Sequence, residues 1–534
     1  MARAVTGGAG ASPYVGDRPF ARADAAAFFG RGAEIAEVTG LWQRHRLTVL
    51  YGSSGTGVTS LVGAGVVPRA VTTGVEAFPV GRVTQGSPFP LAAVPEHNPH
   101  TLALLSAWSP GESPTRLAAF SLVDFLRKRW RYTRATDAYG RAPTLLCAID
   151  QAEELVTGQV DGGRYRDAFI QQLAEALREI PELHVLCCVR RDYKAELVTR
   201  LAAGGCPVDG EFELRPLTPA AALEAVRAPL TATDRSFARG VAEQIVQDLS
   251  GSGDQDGPEV APPLLQGVCA RLWRAVPADV REFSELELRR CGGVGQLLAD
   301  YCDRAVATVS ADHRVPVEEL WSWLQEWFVT GLGKRAFVDE GTAGTRGMPA
   351  VVVRALRDRH LLSAELRAGS RWYALQHDCL VAPVRQARDR LRGIAAMLPA
   401  RRGAAEYLSA AEQAMAAGEP ALAQHHASQA LREAAAGDLK LAAAAESLLG
   451  NAAYVQGDMT AAEARYRAAS ALAEAAQDTP LVAHLLAAIG RTLLHRRRFS
   501  EAVDCLYGAV ARLPNDQAVQ AELGQALDLI ELAG

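Results

Sequence analysis

Between Leu47 and Leu217, short apolar runs alternate with longer amphipathic stretches. "LTVLYG" (47–52), "FPVGRV" (78–83), "TLLCAID" (144–150) and "HVLCCV" (184–189) are nearly continuous in hydrophobic residues and bounded by turn formers. Runs of that length fit strands buried on both faces of a parallel sheet. The intervening "RLAAFSLVDFLRKRWRYT" and "YRDAFIQQLAEALREI" place apolar residues at helical spacing. Strands alternating with helices predict a three-layer α/β domain.

The pattern changes twice further on. Residues 218–310 read as helices, broken by the turn-rich "GSGDQDGPEVAPP" (251–263). Residues 311–398 mix helices with a strand pair in "LLSAELRAGSRWYALQ", the size and order of a winged-helix module. Residues 399–534 are Ala-rich helical pairs with an internal repeat. Gly450, Gly457, Ala462, Tyr466 and Ala469 occupy one frame. Gly490, Ala502, Leu506, Ala509 and Pro514 occupy it again, and Ala411, Gly418, Ala423, Ala427 and Ala430 form a weaker copy. Gly524 opens a last helix of the same series. Small residues at fixed places let paired helices approach closely, as in tetratricopeptide-like repeats. Stacked pairs make a concave surface, so the tail predicts an arm for a protein or peptide partner. The expected division is a disordered lead (1–12), an α/β core (13–217), a helical domain (218–310), a winged helix (311–398) and repeats (399–534).

Bulk properties narrow the class without naming it. With 534 residues the chain is too long for one domain, and a net charge of −5 favours neither nucleic acid nor an anionic membrane. The start lacks signal-peptide layout and no apolar run reaches bilayer length, which predicts a cytoplasmic location. Nine scattered cysteines without a CxxC pair argue against a disulfide framework or a structural zinc site.

The chemistry centres on "GSSGTGVTS". A phosphate-binding P-loop reads G-x-x-x-x-G-K-[ST]. Gly52, Ser53, Ser54, Gly55, Thr56, Gly57, Thr59 and Ser60 fit it after a predicted strand, but Val58 stands where lysine belongs. Glycines there let successive backbone N–H groups form an anion nest, backed by the positive end of the following helix. Thr59 offers a hydroxyl to Mg²⁺. The lysine ammonium is worth roughly 1.5–3 kcal/mol as a charge-assisted hydrogen bond. Without it nucleotide binds more weakly, and hydrolysis suffers further because lysine offsets charge growing in the transition state. Asp150 ends the strand "TLLCAID" as a Mg²⁺-positioning acid would, and Glu153 or Glu154 could orient water. The competing readings are a structural glycine turn and acids that only cap a helix.

Five ordered motifs join these pieces: "SPYVGDRPFARADAAAFFGRGAEI", "DQAEEL", "CVRRDY", "LRPLTPAAALEAVRAPL" and "PLLQGVCARLW". The chain resembles the STAND class of signalling P-loop NTPases, of the bacterial novel STAND type. The resemblance implies an AAA+-like ATPase core binding ATP or ADP with Mg²⁺, a helical domain, a winged helix and a superstructure-forming repeat. It implies that Phe29, Gly30 and Arg31 line the adenine side with Pro216, and that Arg190 reaches toward the terminal phosphate. Bland alternatives are an Arg190–Asp192 ion pair and a plain strand-end proline. "LQHDCLVAP" is similar to the class's His-Asp motif, which implies that His377 touches the β-phosphate in the closed state while Asp378 steadies the turn. The implied function is a nucleotide-gated switch, for defence or stress signalling, that senses a partner, oligomerises and activates a separate effector. The alternatives are a pseudo-ATPase scaffold and a transcriptional regulator reading DNA through the winged helix.

Overall fold

The computed structural model describes residues 12–72, 75–84, 94, 97–132, 144–157, 163–252, 257–313, 315–341, 345–367, 370–394, 403–416, 418–434, 438–514, 516, 520–521, 523–524 and 527. The expected disordered lead lies almost wholly outside them, as does most of a helix after Gly524.

Among the described residues six strands form one parallel sheet: β1 (Leu47–Gly52), β2 (Glu76–Ala77), β3 (Gly81–Arg82), β4 (Leu145–Asp150), β5 (Leu183–Arg190) and β6 (Gly210–Leu214). The order is β2-β4-β5-β1-β6, with β3 also on β4. Strand β5 therefore lies between the strand that feeds the glycine loop and the strand that ends in Asp150. The continuous apolar runs have the predicted cause. Val49, Cys147, Ile149, Val185 and Cys187 pack into one core. Their neighbours Leu50, Leu146, Ala148, Leu186 and Cys188 pack into another with Trp42, Leu61 and Val62. Alternate side chains thus feed opposite faces, and helices cover both.

Three local expectations change. The strand expected over 78–83 shrinks to Gly81–Arg82, with a separate short strand Glu76–Ala77 ahead of it. The helix expected over 116–133 is two, Pro114–Ala118 and Leu122–Tyr132. Ser121 starts the second: its hydroxyl accepts from the Asp124 amide at 3.1 Å and donates to the Asp124 carboxylate at 2.6 Å. The turn-rich stretch after 250 holds a short antiparallel hairpin, Ser250–Ser252 with Pro258–Val260.

Helices Val241–Leu249, Pro262–Ala275 and Gly293–His313 share one core with helices Val317–Phe328 and Ala350–Asp358. That core also takes in a three-stranded antiparallel sheet, Val338–Asp339, Leu362–Arg367 and Ser370–Leu375. From Ala404 to Arg512 six helices follow among the described residues, each packed on the next. The last turns repeat. Gly418, Gly457, Gln477 and Arg497 take left-handed backbone at the helix ends. Asp438, Asp458 and Asp478 cap the helices at 439, 459 and 479 by accepting from the amide three residues on. Close approach explains the glycines. A Cβ on Gly450 would lie 2.5 Å from the Tyr466 ring, and one on Gly490 2.8 Å from Leu506. The tail touches the rest of the chain through Arg354 with Glu419, Thr115 with Asp516 at 3.0 Å, and Arg491 with the Val94 carbonyl. Among the described residues no helix is long and apolar enough to cross a membrane.

Candidate nucleotide site

A cleft of about 1720 Å³ runs between the C-terminal ends of the strands and the later segments. Gly52 to Ser60 form its floor. Gly55 (φ +80°) and Gly57 (φ +94°) are left-handed, which a side chain would strain, and they bend the chain from β1 into the helix that opens at Val58. Gly52 has a different need: a Cβ there would lie 2.7 Å from the Leu214 carbonyl. The Thr56 hydroxyl and amide both donate to the Ser53 carbonyl, at 2.9 and 3.2 Å. Val58 packs against the apolar cluster of Leu50 and Leu61. No lysine lines the cleft among the described residues.

Arg31 braces the loop from behind. Its guanidinium donates to the Thr56 carbonyl at 3.0 Å and the Arg215 carbonyl at 2.8 Å, and pairs with Glu34 at 2.7 Å. Burial pulls its pKa down, partly offset by Glu34. Phe29 and Arg31 line the cleft. Gly30, left-handed at φ +80°, is pressed against the Ala221 carbonyl, where a Cβ would clash. Ser60 accepts from the Phe20 amide at 3.1 Å, so its hydroxyl holds the N-terminal segment.

The acids stand across from the loop. Buried Asp150 accepts the Thr59 hydroxyl at 3.1 Å and meets Arg82 at 3.4 Å. The next residue, Gln151, is left-handed at φ +57° and turns the chain sharply, so that Glu153 and Glu154 also face the cleft. Burial raises the Glu153 carboxyl, opposed by Arg190. Burial, then the charge of Glu153, pushes Glu154 up to about 8. Glu154 Oε2 is buried with no hydrogen-bond partner. Burial and the neighbouring acids thus favour the protonated form of Glu154, in which it can donate a hydrogen bond and does not act as a base.

Arg190 ends β5 and pairs with Glu153 at 3.0 Å and with Asp358 at 3.3 Å. The Asp192 alternative is corrected: Asp192 meets Arg371 at 3.5 Å. The cover of the loop also differs from expectation. His377 turns its imidazole to the Glu259 carbonyl (3.2 Å) and the Cys379 sulfur (3.2 Å), in the hairpin and turn beside it, and does not line the cleft. Its neighbour Gln376 reaches the loop, donating to the Ser54 carbonyl at 2.6 Å, and His360 lies beside it over Gly55. Asp378 pairs with Arg335 at 2.6 Å. Pro216 does not line the cleft, although Leu217 does. Arg82, His360 and Gln376 carry no motif spacing. Only Arg82 had a signal, as a cation at the end of an apolar strand.

The family model described as novel STAND NTPase 1 matches residues 13–402. The chain belongs to that family. No curated protein matches it. The STAND chain is also similar to solved structures at low identity. The ORC1 protein of Aeropyrum pernix in complex with DNA is 14% identical over 68% of this chain and 94% of its own, with a TM-score of 0.36. The ORC2 protein of the same organism, solved as ADPNP–ADP complexes, is 12% identical over 68% and 95%, at 0.37. A STAND protein with a tetratricopeptide repeat sensor from Pyrococcus horikoshii is 11% identical over 94% and 74%, at 0.27.

Within this STAND chain the loop fits a polyphosphate. Its glycines keep the backbone open to an anion, Thr59 and Asp150 bring two oxygen donors of the type Mg²⁺ prefers within 3.1 Å of each other, and Glu154 offers an unsatisfied oxygen nearby.

Proposed function

We propose that this STAND chain is a nucleotide-gated signalling switch that binds ATP or ADP with Mg²⁺ and turns nucleotide over slowly if at all. The observation that carries the reading is the Thr59–Asp150 contact at the mouth of a left-handed glycine loop. Backbone amides of 53–58 cradle the phosphates, and Thr59 and Asp150 hold the metal. Bound Mg²⁺ neutralises phosphate charge. Glu153 or Glu154 orients the attacking water, and Arg190 is the cation placed to face a terminal phosphate. Arg190 is engaged by Glu153 and Asp358, so reaching a phosphate requires it to give up at least one carboxylate.

The segment from Val317 to Ile394 serves as the winged helix that closes over the nucleotide, and the paired helices after Ala404 serve as tetratricopeptide-like repeats that take a protein or peptide partner. Partner binding shifts the population toward an open form that oligomerises and engages a separate effector. The same geometry supports a second reading, a scaffold that holds nucleotide without cleaving it, because Val58 supplies no ammonium and Arg190 is occupied twice.

Calorimetric titration with ADP and ATP, with and without Mg²⁺, tests the switch. Micromolar to sub-millimolar binding that needs Asp150 for its Mg²⁺ dependence is expected. Lack of binding at millimolar nucleotide overturns it. Binding with turnover no faster than in Asp150→Asn leaves the scaffold reading.

A further inference from the structure

The cations around the loop are already engaged. Arg31 holds two backbone carbonyls, Arg82 meets Asp150, and Arg190 bridges Glu153 and Asp358. One titratable side chain over the loop is not. Nδ1 of His360 is shut off from solvent and has no hydrogen-bond partner. It lies 3.3 Å from the place a Cβ on Gly55 would occupy, beside Gln376 Nε2 at 3.1 Å. His360 holds this place through a left-handed backbone (φ +57°), uncommon outside glycine and a mark of constraint. The loop residues beneath it, Ser53, Ser54 and Thr56, do not titrate near neutral pH. The charged groups that face it are Asp358 at the end of the preceding helix, Arg190 from β5 and Asp17 from the N-terminal segment.

Resting on the nucleotide reading above, we infer that His360 takes up a proton when a nucleoside polyphosphate binds, and that its imidazolium supplies the positive charge that Val58 does not. The proton comes from solvent and forms one N–H bond on the ring; no other bond changes. The electrostatics run in the required direction. Burial, the largest influence, pulls the imidazole down to about 4, so it is neutral at pH 7 without a nearby anion. A di- or triphosphate placed against Gly55 adds negative charge and an acceptor, both of which favour the imidazolium. Nucleotide affinity is then linked to pH, and the charge arrives only when the 350–375 segment is seated on the loop.

The test is titration of the full chain with Mg²⁺ and ADP between pH 7.0 and 8.5, above the range in which ADP itself protonates. Calorimetry in two buffers of different ionisation enthalpy counts protons. Uptake approaching one proton per ADP is expected, with Kd rising by up to about tenfold per pH unit. His360→Asn keeps a polar side chain that tolerates left-handed backbone. It should lose the uptake and the slope, bind more weakly at pH 7.0, and converge on the native chain at pH 8.5. His377→Asn should keep the uptake. Binding without proton uptake in the native chain overturns the inference, and so does a slope that survives in His360→Asn. If ADP binds at no pH, the nucleotide reading itself falls and this inference with it.

Discussion

Arg190 and Asp358 lie 3.3 Å apart, joining the end of a core strand to a helix that comes from beyond residue 310. The same guanidinium lies 3.0 Å from Glu153, so one arginine links the acids of the cleft to the segment that covers it. Asp192 and Arg371 add a second crossing, and Arg371 also stacks over Tyr193 at 4.8 Å.

Asp358→Asn removes one carboxylate from Arg190 and should loosen the cover. Asp358 is 54% exposed, so the pair is worth only about 0.2–1 kcal/mol. Hydrogen exchange should rise up to about fivefold in 350–376, and added salt should reproduce part of the effect in the native chain. Unchanged exchange would show that the Arg190–Asp358 pair does not hold the cover.

Val58→Lys should tighten ADP by roughly 10- to 100-fold, the worth of one charge-assisted hydrogen bond of about 1.5–3 kcal/mol. The four-carbon stem can follow the apolar path of Val58 while the ammonium turns to the loop. Fluorescence titration with a labelled ADP measures it. Unaltered affinity would mean that the phosphates sit elsewhere.

Glu154 gives a pH signature in the apo protein. Its folded pKa, about 8, is above its unfolded value, so the folded state holds the proton more tightly. The stability it contributes is full below about pH 4.3, the unfolded carboxyl range. It is lost as pH rises toward 8. Glu154→Gln keeps a neutral side chain and should flatten that decline, raising Tm at pH 8 relative to the native chain by about 2–4 °C per kcal/mol recovered. Parallel Tm–pH curves for the two proteins would refute the burial.

Gly450→Ala places a Cβ 2.5 Å from the Tyr466 ring, whose hydroxyl donates to Asn451 at 2.9 Å. Overpacking of this kind costs about 1–3 kcal/mol. The unfolding transition of the tail should move to lower temperature while that of the α/β core stays. Gly403→Ala, which meets open space, is the control.

Legibility followed locality. β1, β4 and β5 were readable because burial on both faces leaves an apolar run. β6 was not, because "GEFEL" is an edge strand in which Glu211 pairs with Lys194 at 2.7 Å and Glu213 with Arg191 at 2.5 Å. The break at Ser121 had its signal in Ser-x-x-Asp, outweighed by the helical periodicity around it. In the cleft, the loop and Asp150 are fixed by short sequence spacing. His360 and Gln376 meet the loop only through tertiary packing some 300 residues on, and no spacing encodes that. The His-Asp motif pointed one residue away: it located the segment, and packing of His377 on Glu259 handed the contact to Gln376.

The bond from Gln376 to Ser54 has a symmetry of its own. A glutamine amide carries a donor at one corner and an acceptor at the other, and Oε1 here has no partner. Gly55 follows with the backbone freedom for the Ser54–Gly55 peptide to rotate, offering its N–H where its carbonyl now points. The cover is thus tied to the floor by a side chain whose amide pairs equally well with a carbonyl or, after a half-turn, with an N–H, so this contact does not by itself fix which way the peptide beneath it faces.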